Sequence, residues 1–227
     1  MIVKIKELLL EYRTGAGAFP VLEIPEWTIG AQEQVVIFGP SGSGKSTLLN
    51  IVAGLLPPTG GSVEVCGCEL FGMSESLRDK FRGRNLSYIF QSFNLLQGYT
   101  ALENVLIGAT FSPGARPDRN QAMLLLERVG LAHRHHHYPS QMSIGEQQRV
   151  TIARALVKKP KLILADEPTG SLDPHHSGEV VRLLREACGE HNCALVVVSH
   201  ETIIAREFER QIDFRQLNRA QADGGGK

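Results

Sequence analysis

The segment Gly39-Pro40-Ser41-Gly42-Ser43-Gly44-Lys45-Ser46-Thr47 places glycines, a lysine and hydroxyl residues at the spacing that cradles a polyphosphate. Its glycines allow successive backbone N–H groups to turn towards the phosphate oxygens. Lys45 would supply positive charge to the terminal phosphates, and the Ser46 hydroxyl would ligate Mg²⁺. We call residues 39–47 the phosphate loop and predict that they bind a nucleotide.

The elements around the phosphate loop favour this interpretation. An apolar, strand-like run, Val35 to Phe38, precedes the loop, and a helix-like run, Leu48 to Ala53, follows it. The phosphate would therefore lie at a helix N-terminus, where the helix dipole and the unpaired N–H groups favour negative charge. A glycine-rich turn that binds nothing would not need this order of strand, loop and helix.

A second apolar run, residues 162–165, ends in Asp166 and Glu167. If this run is a strand of a parallel sheet, both carboxylates lie at the carboxyl edge, beside the phosphate loop. Asp166 is then placed to hold Mg²⁺, and Glu167 to polarise the attacking water as a general base. His200 follows the apolar run 194–198 and could hydrogen-bond the γ-phosphate from the same edge. The alternatives are acids that cap the next element and a purely structural histidine.

A serine, a glycine and a glutamate begin a third candidate element. Ser143 and Glu146 have the S-x-x-E spacing of a capping box, followed by a helical pattern that extends to Val157. A helix N-terminus fronted by a serine hydroxyl and Gly145 is also an anion site. Because the phosphate loop already has its own helix N-terminus, a second such site requires a second phosphate. The alternative is simply a well-capped helix.

These segments together resemble the ATP-binding subunit of ABC transporters. The resemblance rests on the phosphate loop, on residues 142–150, which we call the signature, and on residues 166–173, Asp-Glu-Pro-Thr-Gly-Ser-Leu-Asp. It runs in order from Tyr12 to His200. The amino-acid sequences of residues 168–173 and of Tyr88-Ile89-Phe90-Gln91 are most similar to those of the lipoprotein-release, macrolide-export and cell-division branch of that family.

The resemblance implies a site shared between two copies of the chain. Ser143 and Gly145, with Glu146 beside them, would contact the γ-phosphate of an ATP molecule held by the partner. Two ATP molecules would then be enclosed in a head-to-tail homodimer that forms on ATP binding. Asp173 would be the loop residue that communicates between the two sites.

The resemblance also assigns residues to the nucleotide site of each copy. Gln91 would contact Mg²⁺ or the attacking water, joining Glu167 and His200 as catalytic residues and Ser46 and Asp166 as metal ligands. Tyr12 would stack on the adenine, since stacking on an aromatic ring tolerates many arrangements. Phe19 competes with Tyr12 for that role.

One feature of the sequence departs from the family pattern, and another suggests a metal site. The family usually has glycine at position 144 and commonly glutamine at position 146, whereas this chain has Ile144 and Glu146. A β-branched residue does not readily adopt positive φ, so Ile144 raises the question of altered turnover. The run His133-Arg134-His135-His136-His137 suggests a metal site, but its irregular order just before the signature favours a solvated connector.

Composition limits the classes of partner. The chain of 227 residues has 24 basic and 24 acidic residues, so it lacks the excess positive charge of a non-specific nucleic-acid binder. No apolar run reaches the ~20 residues of a membrane span, so direct membrane insertion is not expected. We expect a cytoplasmic protein attached to the inner face of the membrane through a partner. Its four cysteines fit neither a disulfide framework nor a zinc site.

The order of elements predicts an α/β fold of the P-loop NTPase, ABC ATPase type, within a single domain covering residues 1–227. A mixed core sheet with an antiparallel β subdomain would come from residues 1–91 and 159–220. Residues 92–158, with helical spacing at 101–109, 118–129 and 143–157, would form a helical insertion that carries the signature. Residues 221–227 are expected to be a flexible tail.

The function expected from the resemblance is an ATP-hydrolysing motor that drives a separate integral membrane permease. An alternative is an ATPase that controls a membrane-bound cell-wall or division partner without transport. ABC ATPases of DNA repair or translation carry coiled coils or tandem cassettes, which this sequence lacks. The apolar residues after Gln91 would either line a groove for the partner or belong to the core of the insertion. They are Phe93, Leu95, Leu96 and Tyr99.

Overall fold

The computed structural model describes residues 1–14, 17–114, 116–170 and 174–221. In chain order, the strands are β1 (Val3–Thr14), β2 (Gly17–Ile29), β3 (Gln34–Phe38), β4 (Gly60–Val65), β5 (Cys68–Glu69), β6 (Leu86–Ile89), β7 (Leu162–Asp166), β8 (Ala194–Ser199) and β9 (Arg210–Asp213). The α-helices are α1 (Lys45–Val52), α2 (Glu75–Asn85), α3 (Ala101–Thr110), α4 (Arg119–Arg128), α5 (Ile144–Leu156), α6 (Pro174–Glu190), α7 (Thr202–Ala205) and α8 (Phe214–Leu217).

The strands form two sheets. One is antiparallel, with strand order β2-β1-β4-β5, and the other is parallel, with order β6-β7-β8-β3-β9. The predicted combination of parallel and antiparallel strands is therefore confirmed, and it is divided between two sheets. The β1–β2 hairpin pairs Val3 with Ile29 at its open end.

The parallel sheet is buried on both faces, because the two sides of its central strands belong to different cores. On β3, Val35 and Ile37 pack towards the antiparallel sheet, whereas Val36 packs towards the helices. On β8, Val196 and Val197 divide in the same way. Successive side chains of a strand point to opposite faces, so a strand covered on both sides must be apolar throughout. This explains the unbroken apolar runs in the sequence.

The predicted helical insertion is present as α3, α4 and α5, packed against one another. A capping box between Thr100 and Glu103 begins α3, and the Asp118 carboxylate caps α4 by accepting from two backbone N–H groups. Elements without a counterpart in the sequence-based prediction include α2 and β9. The residues of α2 are mostly charged, and β9 is a short strand at the sheet edge, so neither carries a strong apolar period.

Close packing between α3 and α5 depends on Gly108. A Cβ atom at this position would lie 2.6 Å from the Arg154 carbonyl oxygen of α5. The substitution Gly108→Ala should therefore lower the free energy of unfolding by about 1–3 kcal/mol through overpacking, although alanine is the better helix former. Urea denaturation measures this. Gly98→Ala is the control, because a Cβ there meets no atom within 4 Å. Equal stability of the two variants would contradict the prediction.

Candidate active site

The phosphate loop connects the end of β3 to the start of α1, as its sequence context predicts. Gly42 and Gly44 have φ angles of 76° and 103°, in the left-handed region that favours glycine. Gly44 is the N-cap of α1, and a Cβ there would lie 3.2 Å from Leu22 Cδ2. The glycines therefore allow both the backbone turn and the close approach of the antiparallel sheet.

Lys45 is buried at the first position of α1. Its Nζ donates to the carbonyl oxygens of Gly39 and Pro40 at 2.9 and 2.8 Å, and lies 3.9 Å from Glu167 Oε1. Burial lowers the pKa of Lys45, and the nearby carboxylates of Glu167 and Asp166 oppose that shift. The ammonium group is thus held over the loop by carbonyls and carboxylates of the same site.

Asp166 ends β7 and faces the phosphate loop across a short hydrogen bond. The Ser46 hydroxyl donates to Asp166 Oδ1 at 2.8 Å, and the Tyr88 hydroxyl donates to Oδ2 at 3.3 Å. Burial raises the pKa of Asp166, while these two hydrogen bonds lower it. Sequence reasoning had not connected Tyr88 with Asp166. This contact depends on the pairing of β6 with β7, which the sequence alone does not specify.

Glu167 leaves the strand in a different direction from Asp166, because its backbone adopts a positive φ of 46°. Its N–H donates to the Val198 carbonyl at 3.0 Å. Its Oε2 accepts from the backbone N–H of His200 at 3.3 Å and lies 2.9 Å from His200 Nδ1. Glu167 is 9% exposed, so its carboxylate is held inside the site by β8 and the residue that follows it. A fixed carboxylate that contacts a histidine can accept a proton from a water molecule.

One cavity brings most of the predicted nucleotide-site residues together. It is lined by Val21, Ser41, Gly42, Ser43, Gly44, Lys45, Ser46, Thr47, Gln91, Glu167 and His200. Gln91 is exposed and lies against Gly170, where an added Cβ would be 3.1 Å from Gln91 Nε2. Val21, from β2, was not predicted, because an aliphatic residue in a strand gives no functional signal.

Tyr12 and Phe19, the two candidates for stacking on the adenine, are paired directly across the β1–β2 hairpin. They are 50% and 54% exposed, respectively. Both rings are therefore available near the turn end of the β1–β2 hairpin. Residues 15 and 16, between β1 and β2, lie outside the described residues.

The signature has the local structure that its sequence predicts. Ser143 is the N-cap of α5, its Oγ accepts from the Glu146 N–H at 3.2 Å, and the Glu146 carboxylate accepts from the Ser143 N–H at 2.8 Å. Ile144 is the first residue of α5 with a right-handed backbone, and its side chain is 49% exposed. Because this position does not require positive φ, isoleucine fits it without backbone strain. Gly145 follows within the same helical turn.

Ser143 and Gly145 are not among the described residues that line the phosphate-loop cavity. The signature therefore forms a separate exposed helix N-terminus. The predicted dimer-loop residue Asp173 and residues 222–227 of the predicted tail lie outside the described residues. Within the described part of the chain, no helix is long and apolar enough to cross a membrane.

Comparison with known proteins decides the family. The sequence profile described as "ABC transporter" matches residues 22–170. The chain belongs to the ABC transporter family. It is 43% identical over 212 residues to the lipoprotein-releasing system ATP-binding protein LolD of Hydrogenovibrio crunogenus, covering 93% of this chain and 92% of that protein. It is 40% identical to the macrolide export ATP-binding/permease protein MacB of Rhodopirellula baltica, covering 93% of this chain and 31% of that longer protein.

Solved structures show the same family fold. A dimeric post-hydrolysis state of the ATP-binding cassette MJ0796, bound to ADP and Pi, superposes with a TM-score of 0.82 at 38% identity, covering 93% of each chain. This ABC protein is therefore an ATP-binding cassette and an ATPase, and the predicted fold class is confirmed.

The predicted role of Glu167 as the proton acceptor in ATP hydrolysis can be tested by substitution. Glu167→Gln should lower kcat for ATP hydrolysis by at least ~10²-fold while ATP binding is retained, because it removes the proton acceptor and leaves the phosphate loop in place. Lys45→Ala should instead lose ATP binding. Steady-state phosphate release and equilibrium ATP titration distinguish the two effects. Glu127→Gln, an exposed change on α4, is the control. Normal turnover in Glu167→Gln would contradict this role.

Proposed function

We propose that this ABC ATPase works as an ATP-dependent homodimer that drives an integral membrane permease. The main support for the proposal is that one chain has two separate helix N-termini, each of which could bind a phosphate group. The phosphate loop lines the nucleotide cavity, whereas Ser143 lies outside that lining. A second copy in head-to-tail arrangement would bring the signature of each chain to the ATP of the other.

The comparisons support this arrangement. MJ0796, which shares the fold at 38% identity, is described as a dimer both in its post-hydrolysis state and as a bacterial ABC transporter cassette. Relatives named for lipoprotein release and macrolide export favour a complex that extracts or exports a hydrophobic cargo. We place the chain on the cytoplasmic face of the membrane, attached through the permease.

Within one copy, each of these side chains would have a separate role in ATP hydrolysis. Lys45 would bind the terminal phosphates, and Glu167 would accept a proton from the attacking water, with His200 beside it and Gln91 at the opening. Ser46 Oγ and Asp166 Oδ1 lie 2.8 Å apart, and oxygen donors of this kind fit Mg²⁺, which is commonly held by one or two protein ligands and substrate phosphates. The ion would neutralise charge on the phosphates. Asp173 would communicate between the two sites.

A groove between the parallel sheet and the helical insertion supports the permease partner. Its lining combines apolar side chains, most of them exposed, with two cations. The principal apolar members are Phe90, Leu96, Ile107 and Phe111. The cations are Arg154, which donates to the carbonyls of Phe93 and Asn94, and Lys158, whose pKa is lowered by burial to about 8. An amphipathic helix could pack its apolar face on the apolar side chains and place an acidic side chain near the two cations.

The two alternatives for the apolar residues after Gln91 apply to different residues. Leu95 is 6% exposed and belongs to the helical core, and Phe93 packs against that core. Leu96 is 43% exposed and lines the groove. Tyr99 is exposed but lies outside the groove lining. Leu95 therefore matches the core alternative, and Leu96 is the candidate for the groove floor.

The homodimer is tested in Glu167→Gln protein, which should retain bound ATP. ATP should convert monomer to dimer, measured by multi-angle light scattering. Adding Ser143→Arg should abolish the conversion, because it places bulk and charge where the partner's γ-phosphate would lie. Adding Gln141→Arg, an exposed change beside the signature, is the matched control. A dimer that forms equally well with Ser143→Arg would contradict the shared site.

Docking is tested at Leu96. Leu96→Glu should break association with the co-expressed permease while ATPase activity and thermal stability of the isolated subunit stay near normal, because Leu96 is exposed. Leu124→Glu, which changes a 64% exposed leucine on α4, is the control. Unchanged association of the Leu96 variant in a pull-down would remove this groove from the docking surface.

A further inference from the structure

The histidine-rich segment before the signature has no role in the proposed function so far. Residues 132–137, which we call the histidine turn, connect α4 to the region before α5 and begin with a 3-10 turn, Ala132–Arg134. In the described part of the chain, no group of three or more His, Cys, Asp or Glu residues could hold a metal ion. The metal interpretation therefore has no structural support. The functional interest of this turn lies in its arginine.

Arg134 connects the histidine turn to the signature. Its Nε lies 3.1 Å from Glu146 Oε1, and its Nη1 lies 3.1 Å from His137 Nε2. A guanidinium group only donates hydrogen bonds, so Arg134 is the donor in its contact with His137 Nε2. Two partners in different positions therefore fix the orientation of one planar cation.

Glu146 connects Arg134 to Ser143, because its two carboxylate oxygens contact one residue each. One carboxylate oxygen, Oε1, faces Arg134, and the other, Oε2, accepts from the Ser143 N–H at 2.8 Å. The Ser143 hydroxyl in turn accepts from the Glu146 N–H. The hydrogen bond from the Ser143 backbone is the main cause that lowers the pKa of Glu146, and the charge of Arg134 lowers it further. The serine that would meet the partner's phosphate thus belongs to a network that extends to Arg134.

The other side of the histidine turn holds the start of α3. The N–H groups of Ala101 and Leu102 donate to the carbonyls of His137 and His135 at 2.8 and 3.1 Å. On the same helix, the Asn104 side chain accepts from the N–H of Leu96 and donates to its carbonyl. Leu96 lines the groove described above. Hydrogen bonds therefore connect the turn to the signature and to α3, the helix whose Asn104 holds Leu96.

We propose that Arg134 is a positioning residue for the signature, which orients Ser143 through Glu146 for contact with the ATP of a second copy. This inference rests on the proposed homodimer function. The guanidinium holds the carboxylate in the rotamer that caps α5, so the serine hydroxyl is pre-oriented before the partner arrives. Pre-orientation lowers the cost of ordering the interface when two copies close. Arg134 affects the trans contact and leaves the phosphate loop of its own chain unchanged.

The test uses the full chain in the Glu167→Gln background with ATP. Arg134→Ala should weaken the ATP-dependent dimer about three- to tenfold, which is the cost of ordering one freed side chain when the interface closes. Dimer affinity is measured by sedimentation over a range of protein concentrations. ATP affinity of the monomer, measured separately, should not change. A merely structural role would lower thermal stability and ATP affinity together.

Conservative and control variants sharpen the test. Arg134→Lys should retain part of the dimer affinity, because lysine keeps the ion pair with Glu146 but cannot serve both partners. His133→Ala changes an exposed residue of the same turn and should have no effect. Arg128→Ala removes a guanidinium that pairs with Glu186 and Glu190 on α6, away from the signature. It should leave the dimer affinity unchanged.

A double-mutant cycle keeps the proposal testable if Arg134→Ala is unstable. Glu146→Gln preserves an acceptor for the Ser143 N–H but removes the ion pair. Glu146→Gln combined with Arg134→Lys should be no weaker than Glu146→Gln alone, whereas additive losses would show independent effects and overturn the proposal. If Ser143→Arg abolishes the dimer while Arg134→Ala leaves it intact, the role of Arg134 is refuted and the homodimer stands. If Ser143→Arg also dimerises, the proposed function itself fails.

Discussion

Burial of the parallel sheet on both faces is the constraint on which the site depends. Because β7, β8 and β3 are packed between two cores, polar side chains can emerge only where these strands end. In a parallel sheet these ends share one edge. The phosphate loop follows β3 at that edge, and Asp166 ends β7 there with Glu167 next to it. The chemistry is therefore concentrated by packing, without any long-range recognition between the polar groups.

The same burial sets the electrostatics of the site. Burial of Lys45 and Asp166 by the surrounding layers opposes the charged form of each of these two groups. Their mutual proximity offsets part of this cost, as the opposing influences on the pKa of Lys45 show. Such a cluster of opposite charges is arranged for a ligand that brings its own negative charge, and a nucleotide triphosphate is such a ligand.

The helical insertion has a different physical basis. Its helices are held by mutual packing and by capping boxes at Thr100 and Ser143. It lines the groove on one side and presents the signature on the other, and the histidine turn accepts hydrogen bonds from the start of α3. Arg134 contributes to this connection through hydrogen bonds to Glu146 and His137. A helical unit of this kind can transmit a change at the groove as a shift of a whole element, since packed helices move more readily as bodies than they deform.

The sequence by itself determined the features that depend on neighbours within a few residues. The phosphate loop, the Ser143 capping box and the two acids after β7 could be predicted because their hydrogen bonds and backbone angles are local. The unbroken apolar runs likewise indicated buried parallel strands. Resemblance in the signature then gave the family. For the elements α2 and β9 the local signal was too weak for prediction.

Only the tertiary structure decided which side chains from distant segments meet. Leu95 and Leu96 are adjacent in sequence, yet one is buried in the helical core and the other faces the groove. Tyr88 reaches Asp166 because β6 pairs with β7, and Arg134 reaches Glu146 because the turn folds back on α5. These contacts depend on how whole elements pack, and packing is settled by the total burial of many residues, which no short stretch of sequence specifies.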